Sequence, residues 1–326
     1  MNSVQFSSPL AAWRKAPQLR PGMAVATISP SGPLPQERFE QGLARLGERY
    51  QVVQSAGVLD RQGFLAGPDG RRLSELRWAL GDPGVHAVIA GRGGHGLMRL
   101  VAALDTVPRH ELRAVPIVGF SDITVLHAFA ASRQLISIHG PVVTQLAILP
   151  DEDVASLWQL LEDPAPPPPL EQLTPVCGSG APVEGRLIGG NLEVLSRLCG
   201  TPLQRALTPG EPVVLLLEEV GEAPYRIDRA LAQLQQAGAL AEVRAIVVGE
   251  LLRCAGPPES PPALDVLADW ATQLGVPMVC GAPVGHGERN RALPHGGRVT
   301  LEPAARRLVF HDGALSPDTE PKAGLD

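Results

Sequence analysis

The sequence has no surplus of positive charge, because 28 lysines and arginines stand against 34 aspartates and glutamates, and the formal net charge is -6. Nucleic-acid binders need a clustered excess of basic side chains to neutralise phosphates, whereas these arginines are scattered among acidic residues. No hydrophobic run is long enough to cross a bilayer. The first 22 residues also lack the continuous apolar segment of a signal peptide. We therefore expect neither a nucleic-acid partner nor a membrane partner.

Cysteine is scarce, with four residues at wide and irregular spacings inside apolar sequence: Cys177, Cys199, Cys254 and Cys280. Free cysteine packs as a small hydrophobic residue, and this spacing fits neither a disulfide framework nor a zinc site. The histidines likewise show no H-E-x-x-H or similar metal-ligand spacing. The sequence therefore predicts reduced thiols, a cytoplasmic location, no metal and no cofactor.

Short apolar runs alternate with amphipathic stretches along the chain, which is typical of βα units around a largely parallel sheet. The pattern predicts helices over residues 97–104, 151–162 and 263–274, for example, and a terminal hairpin over 298–310. We expect an α/β protein. Its 326 residues are enough for two ordinary domains.

The clearest break between domains is a proline-rich segment over residues 163–170. Successive prolines lack N–H donors and cannot continue a helix, so this segment predicts a stiff extended connector. We place an N-terminal domain at residues 1–165, a linker at 166–180 and a C-terminal domain at 181–326.

Ligand sites in open α/β sheets gather at the carboxyl ends of parallel strands. The strongest signal at such a position is Ser121, which lies where a predicted strand runs into a helix. A sharp turn there exposes the serine hydroxyl, and the helix start offers free backbone N–H groups, including that of Asp122, to an oxyanion. The segment is half of a Gly-x-Ser-x-Gly nucleophile elbow, because Ile123 replaces the second glycine. An N-cap explains Ser121 or Asp122 equally well.

Three further strand ends carry groups of chemical interest. Residues 90–96 contain four glycines, which let a backbone approach an anion. Glu218 adjoins a buried apolar run, where an ionised group needs a partner; Glu219 and Glu222 after it fit the start of a solvated loop. His286 lies between glycines in a loop that apolar packing does not explain, although a generic loop histidine is the simpler interpretation.

Together these loops supply a serine, a histidine, a carboxylate and backbone donors, which is the set that acyl transfer requires. The carboxylate and the histidine come from the predicted C-terminal domain and the serine from the N-terminal one, so the site would lie at the domain interface. A non-catalytic anion-binding protein that uses the glycine loop is the rival hypothesis. It predicts that Ser121, Glu218 and His286 lie far apart.

Seven short motifs, in order, make the chain resemble the L,D-carboxypeptidase family (serine peptidase family S66, the muramoyltetrapeptide carboxypeptidases). They are SPSGP at 29–33, RGGHG at 92–96, GFSDIT at 119–124, IHGP at 138–141, GGNL at 189–192, LEEVGE with PYRIDR at 217–229, and GH-x-x-x-N with LP-x-G at 285–296. The resemblance implies a flavodoxin-like N-terminal domain with a parallel sheet, a smaller α/β C-terminal domain, and a homodimer.

By position, the family's catalytic residues fall on Ser121, Glu218 and His286. Its oxyanion donors fall on the backbone of Asp122 and of the Gly93–Gly94 turn. The candidate substrate-binding residues are Ser31, Arg92, His95 and Asn191. The chain departs from the family pattern at His95, where an aromatic tyrosine is usual, and at Glu219, where aspartate is usual.

The resemblance implies hydrolysis of the L,D-amide bond to the terminal D-Ala of a murein tetrapeptide, free or as a UDP-linked muropeptide, during peptidoglycan recycling. The alternative is a related hydrolase that cleaves a peptidyl-nucleotide antibiotic, as in microcin C7 self-immunity. Such relatives tend to follow the catalytic glutamate with a Thr-Ser-Glu type of segment, whereas this chain has Val220, Gly221 and Glu222. The sequence therefore favours the cell-wall substrate.

Overall fold

A computed structural model describes residues 12–108 and 111–317. The strands are β1 (Ala16–Pro17), β2 (Ala24–Ile28), β3 (Gln51–Gln54), β4 (Ala87–Ala90), β5 (Ile117–Gly119), β6 (Ser137–His139), β7 (Thr174–Cys177), β8 (Val183–Asn191), β9 (Val213–Val220), β10 (Val243–Leu252), β11 (Met278–Cys280), β12 (Leu293–His295), β13 (Arg298–Glu302), β14 (Arg307–Phe310) and β15 (Leu315–Ser316). Residues 1–11, the first half of the segment that lacks the apolar run of a signal peptide, lie outside the described residues.

The α-helices are α1 (Gln36–Gly47), α2 (Asp69–Gly81), α3 (Val101–Asp105), α4 (Thr124–Ala131), α5 (Val143–Leu146), α6 (Asp151–Glu162), α7 (Leu192–Arg197), α8 (Pro224–Gln236) and α9 (Ala263–Leu274). Short 3₁₀ helices cover Leu97–Leu100, Ser121–Ile123 and Pro202–Leu207. Among the described helices, none combines the length and the apolar character that a bilayer crossing demands.

The first sheet has the order β12-β6-β5-β4-β2-β3, in which β2 to β6 are mutually parallel. Numbered along the chain, its parallel strands follow the order 2-1-3-4-5 of flavodoxin-like sheets, with a switch point between β2 and β4. Short apolar strands such as β4, which is buried along its whole length, suit a sheet covered on both faces. The predicted α/β class with a flavodoxin-like sheet is confirmed.

The second sheet has the order β14-β13-β8-β9-β10-β11-β7. Its centre, β8 to β11, is parallel, while the β13–β14 hairpin and β7 add antiparallel edges. The two sheets meet where β8 ends, because the backbone N–H of Asn191 donates to Thr124 Oγ1 at 3.1 Å. The carboxyl end of β9 and the start of α4 therefore face the same region.

Residues 174–177, in the second half of the segment predicted as a linker, form β7. This strand pairs with β11 at the edge of the second sheet, and Val176 and Cys177 pack against the apolar core. Two other elements cross the predicted boundary: β12 pairs with β6 in the first sheet, and β1 pairs with β15.

Candidate active site

The turn after β5 holds Ser121 in a left-handed backbone conformation, with φ of +64°. An L-residue with a side chain pays about 1–2 kcal/mol for this conformation, so the surrounding structure must impose it. Gly119 makes the turn possible, because a Cβ at that position would lie 2.8 Å from Ile123 Cγ2. The serine opens a 3₁₀ turn that leads directly into α4. This is the strand–turn–helix geometry that exposes a nucleophile.

The glycine loop after β4 packs directly against Ser121. A Cβ at Gly93 would lie 2.7 Å from Ser121 Cβ and 2.9 Å from its Oγ, so only glycine fits. The same point lies 3.3 Å from the backbone nitrogen of Asp122. Gly32 fixes the loop by donating its N–H to the Gly93 carbonyl at 3.1 Å. Backbone from two loops therefore converges on the serine hydroxyl.

His286 lies in the loop after β11 and bridges Ser121 to Glu218. Its Nε2 is 3.0 Å from Ser121 Oγ and its Nδ1 is 2.7 Å from Glu218 Oε2. The Glu218 side chain is fully buried and that of His286 is 18% exposed. An acceptor-only carboxylate at Nδ1 fixes the tautomer that carries its proton there, which leaves Nε2 to accept the serine proton. The three residues therefore form one hydrogen-bonded chain.

Close packing holds His286 in this orientation. The Phe120 ring, next to the serine, has its centroid 4.7 Å from that of His286. Gly285 brings the loop against the acid, since a Cβ there would lie 3.2 Å from Glu218 Oε2. These contacts restrict the orientation of the His286 ring.

The Asp122 side chain is buried beside the turn that holds Ser121. Its Oδ2 accepts the backbone N–H of Leu97 at 3.0 Å, which ties the turn to the end of the glycine loop. Burial raises the pKa of this carboxyl, and the hydrogen bond from Leu97 opposes the rise. The side chain of Asp122 thus joins the turn to the glycine loop, while its backbone N–H is the predicted oxyanion donor.

A cavity of about 490 Å³ opens beside Ser121. It is lined by Gly94, His95, Met98, Ser121, Asp122, Asn191, Glu193, Val194, Arg197, Glu219, Val220 and Glu222. Its far wall is therefore the start of α7 and the end of β9. Because Ser121 is itself a lining residue, the cavity gives access to the hydrogen-bonded chain.

Glu219 organises that wall. Adjacent residues on a strand point to opposite sides, so Glu219 turns away from His286 and binds the start of α7. Its Oε1 accepts from Asn191 Nδ2 at 2.9 Å and its Oε2 accepts from the backbone N–H of Glu193 at 2.8 Å. Asn191 in turn caps α7 by accepting from the N–H of Val194. Burial raises the pKa of Glu219 to about 7, against the pull of these donors.

The four candidate substrate-binding residues have different surroundings. Asn191 and His95 line the cavity, and the His95 ring packs edge-on against Phe64 at 5.4 Å. Ser31 is fully buried, next to the glycine that holds the Gly93 carbonyl. Arg92 is exposed and donates to the carbonyl of Pro33.

Sequence reasoning missed the wall formed by α7, in particular Glu193 and Arg197. The usable signal was the GGNL motif at 189–192, where two glycines and a capping asparagine begin a helix at a strand end. Within residues 12–108 and 111–317, no group of three histidine, cysteine or acidic side chains is placed to hold a metal ion.

Two family models match the chain. The LD-carboxypeptidase N-terminal domain matches residues 25–140, which contain Ser121. The LD-carboxypeptidase C-terminal domain matches residues 184–301, which contain Glu218 and His286. The murein tetrapeptide carboxypeptidase of Pseudomonas aeruginosa is 33% identical over 290 residues, which are 85% of this chain and 92% of that protein.

Solved structures show the same fold. The muramoyltetrapeptide carboxypeptidase from Oxalobacter formigenes is 25% identical, with a TM-score of 0.72 over 90% of this chain and all of that one. The microcin C7 self immunity protein MccF, in complex with aspartyl sulfamoyl adenosine, is 19% identical, with a TM-score of 0.80 over 93% of this chain and all of that one. Because the N-terminal and C-terminal domain models of the family both match, and a murein tetrapeptide carboxypeptidase is 33% identical over 85% of the chain, this chain belongs to the LD-carboxypeptidase family.

Proposed function

We propose that this protein is a serine carboxypeptidase that hydrolyses the L,D-amide bond to the terminal D-Ala of murein tetrapeptides. The observation that carries the proposal is the hydrogen-bonded chain from Ser121 through His286 to Glu218, at 3.0 and 2.7 Å. An anion-binding protein without catalysis has no need for these three residues to be in contact.

In the proposed reaction, His286 Nε2 takes the Ser121 proton as Oγ attacks the carbonyl carbon of the scissile amide. The backbone N–H of Asp122 and donors of the Gly93–Gly94 turn stabilise the oxyanion. His286 then gives its proton to the departing amino group of D-Ala, leaving an acyl-enzyme. Water, deprotonated by His286, attacks the ester and restores Ser121. Throughout, Glu218 keeps the imidazole in position and stabilises its charged form.

The murein substrate is favoured over a peptidyl-nucleotide antibiotic by the comparisons. Identity of 33% connects the chain to a murein tetrapeptide carboxypeptidase, whereas its likeness to MccF at 19% identity is a likeness of fold. A peptidoglycan fragment, free or UDP-linked, is therefore the substrate we propose.

Three further proposals concern the protein as a whole. The four cysteines are free thiols in the structure, which supports a cytoplasmic location because that compartment keeps thiols reduced. The proposed domains are residues 1–165 and 181–326, joined by a linker at 166–180. Ser121 belongs to the first, and Glu218 and His286 belong to the second. Assembly as a homodimer follows from the family resemblance, and light scattering of the purified protein measures it.

The test of the activity is release of D-Ala from UDP-MurNAc-tetrapeptide and from free tetrapeptide by purified protein. We expect Ser121→Ala to lower the rate by about four orders of magnitude or more, because removing the nucleophile leaves only binding and the oxyanion donors. Ser132→Ala is the matched control, since that serine lies at the end of α4 and donates to the Phe129 carbonyl. Equal rates for wild type and Ser121→Ala would refute the mechanism.

A further inference from the structure

The loop that carries His286 is closed on itself by hydrogen bonds. Asn290 Oδ1 accepts the backbone N–H of Gly285 at 3.3 Å, and the backbone N–H of Arg291 donates to the Pro283 carbonyl at 2.8 Å. Both bonds join chain that lies on either side of His286. Asn290 is completely buried, so its remaining polar groups also need partners.

Those partners lie in the N-terminal part of the chain. The backbone N–H of Asn290 donates to Asp153 Oδ2 at 3.0 Å, and its Nδ2 donates to Gln145 Oε1 at 2.9 Å. Asp153 is in the first turn of α6 and Gln145 is in α5. Both helices precede the proposed linker, whereas Asn290 follows it. The loop of His286 is therefore attached to the part of the chain that supplies Ser121.

Asp153 is the strongest of these attachments. Its side chain is 1% exposed, and besides the N–H of Asn290 it accepts from Arg289 Nε at 2.9 Å and Arg289 Nη2 at 2.8 Å. Three residues further along α6, Ser156 Oγ accepts the backbone N–H of Ala292 at 3.1 Å. Because a buried carboxylate is costly to separate from its donors, α6 holds this end of the loop firmly.

We propose that Asp153 is a positioning residue, which holds His286 against Ser121 through the backbone of Asn290. This inference rests on the proposed function, because it assigns a further residue to that mechanism. The contact of 3.0 Å between His286 Nε2 and Ser121 Oγ joins side chains from the two parts of the chain. Glu218 comes from the same part as the histidine, so it orients the imidazole without tying it to the serine. Asp153 provides that tie.

The first test is the Asp153→Asn variant, assayed for kcat and KM of D-Ala release from UDP-MurNAc-tetrapeptide. Asparagine keeps the size of the side chain but removes its charge and one acceptor. We expect kcat to fall by about tenfold to hundredfold, because a small displacement of a catalytic group has a cost of this order. Because Asp153 is not among the residues that line the cavity, KM should stay within about twofold of the wild-type value.

Glu211→Gln is the matched control. The Glu211 side chain is also largely buried, at 11% exposed, and also accepts from an arginine, Arg186 Nε, at 2.6 Å. It lies before the start of β9, whereas Glu218 lies near the end of that strand. Its kcat and KM should equal those of wild type.

Gln145→Ala gives a second, milder change to the same attachment. It removes the acceptor of Asn290 Nδ2 and should lower kcat by about threefold or more, the worth of one neutral hydrogen bond. Circular dichroism verifies that each variant is folded, and Gln145→Ala decides the question if Asp153→Asn does not fold.

A double variant separates positioning of the histidine from general support of the fold. His286→Ala removes the group that Asp153 is proposed to position. Adding Asp153→Asn to His286→Ala should therefore leave the residual rate unchanged, within about twofold. A residue that only supports the fold would lower the rate by the same factor in both backgrounds.

A wild-type kcat in folded Asp153→Asn overturns the inference, as does an equal fall in the two backgrounds. If Asp153→Asn does not fold, a wild-type kcat in Gln145→Ala overturns it. The proposed function fails in a different way, through the absence of D-Ala release by wild type.

The positioning is then decided by nuclear magnetic resonance, from the downfield signal of the His286 Nδ1 proton that His286→Ala identifies by its loss. That signal should weaken or shift in Asp153→Asn and stay in place in Glu211→Gln. A signal unchanged in Asp153→Asn overturns the inference.

Discussion

Two neighbouring glutamates at the end of β9 have different partners in the site. Glu218 is buried against His286 and Glu219 is buried against Asn191 and the start of α7. Because adjacent strand residues point to opposite sides, one carboxylate holds the imidazole and the other lines the cavity. In the proposed mechanism, the end of β9 therefore supplies both the acid of the hydrogen-bonded chain and part of the substrate cavity.

Glu219 makes the stability of the protein depend on pH in an unusual direction. Burial raises the pKa of its carboxyl to about 7, above the ordinary unfolded value. Between pH 4.5 and 7 the folded state holds a proton that the unfolded state has lost, so the contribution of Glu219 to stability falls as the pH rises. Full ionisation costs about 3 kcal/mol by the conversion of pKa to free energy.

Replacing Glu219 by glutamine removes this titration. The free energy of unfolding of wild type, relative to Glu219→Gln, should therefore fall by about 3 kcal/mol between pH 5 and pH 8. Urea denaturation at both pH values measures it, and Glu302→Gln provides the control. A difference between wild type and Glu219→Gln that stays constant with pH contradicts the prediction.

At the scale of elements, periodicity predicted the long helices and the terminal hairpin well, with α6, α9, β13 and β14 at their expected bounds. Because these elements bury one regular face, their hydrophobic periodicity can be recognised in the sequence. The short strands β7 and β12 were not predicted, because three or four residues are too few to show a hydrophobic period. Their pairing with β11 and β6 depends on residues far away in the sequence.

The site divides in the same way. Ser121, Glu218 and His286 stand at strand ends, where the topology of parallel sheets places functional groups, and the family motifs distinguished Glu218 from Glu219. The positions of Glu193 and Arg197 depend on how α7 packs beside β9. The GGNL motif marks where α7 begins, but it does not record that packing. The sequence therefore indicated the three residues that meet in the hydrogen-bonded chain more fully than it indicated the walls of the cavity beside them.

Three buried histidines connect the short strands behind the site. His127 lies 2.8 Å from the Gly119 carbonyl and 2.9 Å from Ser137 Oγ, and its ring stacks on His295 of β12 at 5.0 Å. Burial lowers the pKa of His127 to about 4 and that of His139 to about 3. These histidines are therefore neutral, and the stacking of His127 on His295 joins β12 to the first sheet.

Acid should loosen this junction. Because the folded pKa values lie below the unfolded value of about 6.5, the stability these histidines provide is complete above pH 6.5 and is lost as the pH falls toward 4. When the pH is lowered from 7.5 to 5, we expect the free energy of unfolding of His139→Phe to fall by about 2 kcal/mol less than that of wild type. Urea denaturation measures it, with exposed His311→Phe as the control; equal losses in wild type and His139→Phe contradict the assignment.

At the scale of the whole molecule, the two sheets share structure across the proposed domain boundary. One apolar core contains residues of both, including Ile138 beside β5 and Leu192 and Leu195 in α7. The strand β12 comes from the C-terminal part of the chain yet completes the first sheet. The proposed active site, with Ser121 from one part and Glu218 and His286 from the other, keeps its geometry only while the two parts stay together.

This connection predicts one cooperative unfolding transition instead of two. Unfolding of the C-terminal sheet would remove β12 and expose both the edge of β6 and the stacked face of His127, so the first sheet would lose its stability with it. Urea curves from far-ultraviolet circular dichroism and from tryptophan fluorescence should coincide, since Trp158 reports on the first part and Trp270 on the second. A fragment of residues 1–165 should fail to fold alone. Two separated transitions, or a folded fragment, would mean that the halves are independent and that the triad is assembled by docking.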